Sequence, residues 1–221
     1  AAAAATDAVS RMNLWRAFRN RFPRVSAGPR WVVVDTETSG PDPVHDRLLS
    51  IGAVALHHGR LHTEDSLELT VADTAPLPSD NILIHGLGAE ARAAGLPLRE
   101  ALLHWRRFRG DAALIGFHAG FDRRVLQTAA QRAGLPADYR RWLDVAALAR
   151  ALHPSAARRC HQLDDWLSHF GLQVLHRHRA AGDALATAEL FMHLYADAGR
   201  PAQFRSLLRR ASTPDPSGGG A

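Results

Sequence analysis

Residues 32–40 read VVVDTETSG, a β-branched run carrying two acids, Asp35 and Glu37, one residue apart. Alternate side chains of a strand share a face, so these carboxylates project together, about 7 Å apart along the chain. Taken alone, the pair is explained as marking the strand's exposed end or capping the turn into SGPDP; other acids decide otherwise. Two further acids stand at comparable places. Asp122, in GFHAGFD, follows the apolar run ALIGF and opens a helical stretch, and Asp183, in HRHRAAGDALATAEL, lies about one turn into another, five residues after His178. Each has a plain structural explanation, since an acid in a first helical turn gains about 0.3–1 kcal/mol from the helix dipole. Gathered together, the four would do something else. A pair of carboxylates near 4 Å repels by about 1 kcal/mol in water and about 4 at an effective dielectric of 20. Several such pairs rival a domain's whole stability of about 5–15 kcal/mol. Two divalent ions balance four negative charges, and oxygen donors without Cys or paired His favour Mg²⁺ or Mn²⁺ over Zn²⁺. Ions about 3.5–4 Å apart clamp the attacking and leaving oxygens of an in-line phosphoryl displacement. Histidine titrates near neutral pH, which suits His178 to take the proton of an attacking water. Thr36, Thr38 and Phe121, adjacent to these acids in sequence, and the more distant His85 are the candidates for gripping the substrate of such a site. A ring stacked on a base contributes about 1–3 kcal/mol without sequence preference, although core packing is an equally good use of Phe121.

The elements that must position these residues follow from periodicity. Residues 31–38 and 47–57 read as buried strands, the second with Leu49, Ile51, Ala53 and Ala55 on one face, and 61–71 alternates Leu67, Leu69 and Val71 with polar residues. These three make an antiparallel meander. Helical spacing of Leu98, Ala101, Leu102 and Trp105 predicts a helix over 97–109, followed by a short strand at 113–117 and a helix over 121–133 stopped by Gly134 and Pro136. The stretch 142–152 reads as helix-like, and further helices are expected over 162–170 and about 180–198. Strands first, then alternating helices and strands, give an α/β fold with a mixed sheet.

At 221 residues and 46% hydrophobic, the chain suffices for one globular domain with short extensions. The expected division is a basic N-terminal extension over 1–29, the enzymatic domain over 30–199, and a C-terminal tail over 200–221, partly disordered and ending in TPDPSGGGA. The single Cys160 excludes an internal disulfide, and no apolar run approaches the roughly 18 residues that cross a bilayer. The first segment lacks a signal-peptide pattern, so the expectation is a soluble, cytoplasmic protein without integral membrane association. All 27 basic side chains are Arg against 22 acids; residues 1–30 hold six Arg and one Asp, which accounts for the net +5. Residues 31–91 hold two Arg and ten acids, whereas 92–159 hold thirteen Arg and five acids. A body balanced in this way suits contact with a few phosphates near a strand end better than coverage of a long duplex. Leu14, Trp15, Phe18 and Phe22 among the N-terminal arginines form an amphipathic pattern most simply packed on the domain itself.

DTETSG, HAGFD and HRAAGD, carrying Asp35, Glu37, Asp122, His178 and Asp183 in order, resemble the three motifs of the DEDDh (DnaQ-like) exonuclease family, which includes the epsilon proofreading subunit of bacterial DNA polymerase III, ribonuclease T and oligoribonuclease. The similarity covers about residues 30–198, and ILIHGL at 82–87 is similar to the family's segment before its substrate helix. The resemblance implies a ribonuclease H-like fold: a mixed five-stranded sheet, three strands as an antiparallel meander plus parallel strands, flanked by helices. It also implies 3′-to-5′ removal of nucleoside 5′-monophosphates with two Mg²⁺ or Mn²⁺ ions. By resemblance Asp35 bridges both ions, Glu37 and Asp183 hold the ion on the nucleophile's side, and Asp122 holds the one on the leaving group's side. The implied substrate is a single-stranded or frayed DNA 3′ end, with a DNA polymerase subunit as possible partner. RNA 3′-end trimming is the alternative, and an inactive nucleic-acid-binding subunit is disfavoured because all five signature positions are present. Departures are Ser39 where Thr is commoner and His118 where Asn is frequent.

Overall fold

The computed structural model describes residues 30–77, 87–136, 141–173, 177–199 and 203–212. Its strands form one five-stranded sheet in the order β3-β2-β1-β4-β5. β1 (Arg30–Thr38), β2 (Leu48–His57) and β3 (Arg60–Thr70) make the expected antiparallel meander, while β4 (Ala113–Gly116) and β5 (Trp142–Asp144) extend the other side of β1 in parallel. Every residue of β2 is buried, as its near-continuous run of apolar and small side chains requires. The helices are α1 (Ala89–Ala93), α2 (Leu98–Arg109), α3 (Gly120–Arg132), α4 (Val145–Leu152), α5 (Pro154–Ala157), α6 (Leu163–His169), α7 (Ala180–Asp197) and α8 (Phe204–Ala211).

Helices cover both faces of the sheet, and the pleat of β1 sorts its side chains between two cores. Trp31 and Val33 join Leu148, Trp166, Leu190, Phe191 and Leu194 on the α4, α6 and α7 side. The Trp31 ring meets Phe191 and Tyr195 edge-on, with centroids 5.6 and 5.4 Å away. Val32 and Val34 join Leu102, Trp105, Val125 and Leu126 on the α2 and α3 side. Continued past Val34, the same alternation aims Asp35 and Glu37 at α7 and Thr36 at α3.

One expectation needs correction. The stretch 142–152 is not helical throughout, because Trp142–Asp144 forms the fifth strand and only Val145–Leu152 is helix. Three residues show no period; the boundary lies at Asp144, whose side chain caps α4 by accepting from the main-chain N–H groups of Ala146 and Ala147. α8 lies in the stretch assigned to the C-terminal tail. It turns Leu207 fully into the core with Phe204 and Leu208 beside it, so the packed body runs on to Ala211. The N-terminal extension, with Leu14, Trp15, Phe18 and Phe22, lies outside the described residues, as does the TPDPSGGGA tail. Among the described residues no helix is long and apolar enough to cross a membrane.

Candidate active site

The site lies where the parallel strands β1 and β4 end. β1 carries Asp35 and Glu37 out of the core, and its pairing with β2 shifts register between Glu37 and Thr38. Such bulges recur beside active sites because they re-aim a side chain. Beyond the bulge, Ser39 and Gly40 turn into a loop built around Asp46. The Asp46 carboxylate accepts from the Ser39 hydroxyl at 3.0 Å and the Asp42 N–H at 2.7 Å. Arg132, at the end of α3, donates to the carbonyls of Val44, His45 and Asp46, tying this loop to the helix that begins near Asp122.

Asp183 reaches the same place from α7, and one glycine makes its approach possible. Gly52 is the β2 partner of Asp35, and a Cβ built on it would lie 2.0 Å from the carbonyl carbon of Ala180 and 2.1 Å from the nitrogen of Ala181. Without a side chain at residue 52, the first turn of α7 lies directly on the sheet beside Asp35. One carboxylate oxygen each from Asp35, Glu37 and Asp183 then lie within 4.8 Å of one another. Glu37, Asp122 and Asp183 are all 9% exposed or less.

Asp122 comes from the opposite layer. β4 ends at Gly116, the chain passes through His118 at a φ of 51°, and α3 starts at Gly120 with Asp122 buried in its first turn. The Thr36 hydroxyl, on the α3 side of β1, donates to Asp122 Oδ1 at 2.7 Å and joins the two layers at the site. Burial pushes the Asp122 carboxyl up to about 7; the Thr36 hydrogen bonds oppose that shift and Glu37 adds to it. Asp35 is held well above the usual carboxylate range, by burial first and then by the charges of Asp122, Glu37 and Asp183. Asp183 is also raised by burial, with Arg177 pulling the other way. Burial and mutual repulsion thus act together on acids whose donor atoms are all carboxylate oxygens. That set fits a hard divalent cation, which would remove the charge that makes the cluster costly.

His178 stands in the segment entering α7, exposed, with a φ of 60°, and its main-chain N–H donates to Asp183 Oδ1 at 3.2 Å. Its place is fixed relative to Asp183 by main chain as well as by sequence spacing. Phe121 is partly buried and packs against the α2 and α3 core next to Asp122. The Thr36 hydroxyl is spent on Asp122 and that of Thr38 on the Gly40 carbonyl at 2.6 Å. His85 lies outside the described residues. Sequence reasoning missed three residues around the acids: Gly52, Arg177 and Asp164. Arg177 donates through one guanidinium nitrogen to Asp183 Oδ1 and through Nε to Asp164 Oδ1 at 2.5 Å. No motif signals an Arg in this position, whereas IGAV within a buried run would have pointed to a close approach at Gly52.

A mixed sheet flanked by helices, with acids at the end of its central strand and in the first turns of two helices, is the ribonuclease H-like arrangement. The family profile described as "Exonuclease", of the RNase T type, matches residues 32–191, and the chain belongs to this exonuclease family. It is 29% identical over 168 residues to the PolC-type DNA polymerase III of Halalkalibacterium halodurans, and 31% identical over 165 residues to that of Caldanaerobacter subterraneus. These matches cover 76% and 74% of this chain but 11% of each polymerase, so the chain spans about a ninth of the length of these relatives. Among solved structures, Exonuclease X in complex with 5′ overhanging duplex DNA superposes with a TM-score of 0.65 at 22% identity, covering 82% of this chain and 99% of that one. E. coli Exonuclease I with a dT13 oligonucleotide superposes with a TM-score of 0.68 at 15% identity, covering 78% of this chain and 42% of that one.

Proposed function

We propose that the protein is a 3′-to-5′ exonuclease that hydrolyses phosphodiester bonds at single-stranded or frayed DNA ends and releases nucleoside 5′-monophosphates. The observation that carries this reading is the convergence of Asp35, Glu37 and Asp183 oxygens within 4.8 Å, with the Asp122 charge close enough to raise Asp35. DNA is favoured over RNA because the relatives are DNA polymerases and the Exonuclease X and Exonuclease I structures named above hold DNA. The polymerase relatives also make a DNA polymerase subunit the natural partner.

Asp35, Glu37, Asp122 and Asp183 would hold two Mg²⁺ or Mn²⁺ ions, with Glu37 and Asp183 serving the nucleophile, Asp122 the leaving group and Asp35 both. Bound there, the ions supply Lewis acidity and neutralise charge developing on the phosphoryl oxygens. The protein's own groups do the rest. His178 takes a proton from the attacking water, and its exposed position lets that proton pass to solvent. The Phe121 ring stacks on the terminal base, and Thr36 and Thr38 lie beside it, Thr36 while holding Asp122.

The test feeds 5′-labelled single-stranded DNA and RNA of equal sequence to the purified chain with Mg²⁺ or Mn²⁺, beside Asp35→Ala and Asp183→Asn variants. A ladder shortening from the 3′ end of DNA is expected, with single-turnover rates at least about a hundredfold lower in both variants. Faster shortening of RNA would reassign the substrate. Inertness toward both would sink the enzymatic reading.

A further inference from the structure

The carboxylate cluster already contains a cation of its own. We propose that Arg177 is a resident counter-cation, which occupies Asp183 in the metal-free protein and yields it when a divalent ion binds. This rests on the metal-site reading given above.

Three observations support it. The Arg177 guanidinium donates directly to Asp183 Oδ1, an oxygen that also accepts from the His178 main-chain N–H. The side chain is not free to wander, because its Nε is held at 2.5 Å by Asp164 in the first turn of α6, and Arg177 is only 20% exposed. Its direct partner is also part of the cluster, since one carboxylate oxygen each of Asp183, Asp35 and Glu37 lie within 4.8 Å of one another. One guanidinium therefore offsets part of the repulsion among acids brought together on β1 and α7. The two held ends are chemically unequal: Asp164 stands apart on α6 with a largely exposed carboxylate, whereas Asp183 is the oxygen a divalent ion needs.

A divalent ion at Asp183 and a guanidinium on the same oxygen repel each other. Loading must therefore displace the Arg177 end that touches Asp183, while the Nε contact to Asp164 keeps the side chain at the rim. The arginine makes the cation-free fold tolerable and weakens the first ion's affinity in doing so.

The experiment is calorimetric titration of Mn²⁺ into chelator-treated protein, wild type against Arg177→Gln and Arg177→Lys, with Asp35→Ala as the site control. Arg177→Gln is expected to bind Mn²⁺ on the order of tenfold more tightly, because one unit charge next to the ligand oxygen has been removed. Without metal, Arg177→Gln should melt lower than wild type, and saturating Mn²⁺ should close that gap. Arg177→Lys keeps the charge and should stay near wild-type affinity. A purely structural clamp between α6 and α7 would give the reverse, with Arg177→Gln binding Mn²⁺ more weakly. Equal or weaker affinity in Arg177→Gln overturns the inference. If instead wild type and Asp35→Ala take up Mn²⁺ identically, the metal-site reading itself has failed.

Discussion

Gly52→Ala tests whether the carboxylate cluster depends on how closely α7 lies on the sheet. The added Cβ would lie 2.0–2.3 Å from the carbonyl group of Ala180 and the nitrogen of Ala181, where ordinary contact begins near 3.4 Å. These are main-chain atoms, so no side-chain rotation relieves the overlap, and Ala180→Gly would not rescue it. The first turn of α7 must retreat by about 1 Å or more, taking Asp183 and the His178 segment with it. Misplacement of a catalytic group by about 1 Å costs on the order of a hundredfold in rate, and overpacking costs about 1–3 kcal/mol of stability. The assay is single-turnover cleavage of 5′-labelled single-stranded DNA in saturating Mn²⁺, with circular dichroism melts to report the folded fraction. Gly59→Ala is the matched control. Its Cβ would strike the Tyr195 ring at the far end of α7, at a residue with a φ of 71°, so it should lower the melting temperature without changing the rate per folded molecule. A Gly52→Ala protein that is folded and cleaves within about threefold of wild type would refute the idea that this glycine sets the position of Asp183.

Thr36→Val removes the donor to Asp122, and a hydrogen bond to a charged group is worth about 1.5–3 kcal/mol. The Asp122 carboxyl, already pushed up to about 7, should rise further, so the pH profile of Mn²⁺ binding should move upward by about one unit or more. A profile that does not move, with only KM for DNA raised, would instead assign Thr36 to the substrate alone. In chelator-treated wild type, stability should fall between pH 5.5 and pH 8. Folded Asp122 keeps its proton up to about pH 7 while the unfolded chain loses it near 4, so the native state binds more protons across this window. The loss attributable to Asp122 across this window is about 2 kcal/mol; urea titrations at both pH values measure it, and Asp122→Asn should reduce the trend by about that amount. Saturating Mn²⁺ should reverse its sign, and a flat wild-type profile without metal would contradict the burial argument.

The parts of the fold with a repeating pattern were legible in the sequence. The period of two in β3 and the apolar spacing of α2 and α3 are spread over enough residues to define both element and buried face, while β2 is legible as a strand although both its faces are buried. β5 was not legible as a strand, because three residues cannot display a period and its neighbours Leu114, Ile115 and Gly116 are supplied by the fold. α8 was hidden by the Pro and Gly residues after it, although its Phe204, Leu207 and Leu208 spacing is helical. Asp35 and Glu37 were conspicuous because two carboxylates on one face of an apolar strand are costly, whereas Asp122 and Asp183, each in a first helical turn, stood out only with the exonuclease motifs around them. Arg177 and Asp164 were not found, since an arginine beside a histidine in a polar loop, and an aspartate in a first helical turn, are inexpensive wherever they occur.

The topology explains why these acids lie so far apart in the chain. A β strand offers alternate residues to its two faces, so β1 alone can place Asp35 and Glu37 on one side only. The third acid on that side must come from a helix packed there, which is α7, and the fourth from the opposite layer, where α3 begins just past the end of the parallel neighbour β4. Thr36 lies between Asp35 and Glu37 in the chain and points the other way, so its hydroxyl brings Asp122 to the rim of the sheet. One tripeptide thus speaks to both layers, and the helix from each layer arrives with its N-terminal end toward the acids, where the positive end of the dipole eases their crowding. Helix dipoles contribute about 0.3–1 kcal/mol apiece, well short of the repulsion among four clustered carboxylates. The remaining charge calls for a cation, and Arg177 supplies one at Asp183.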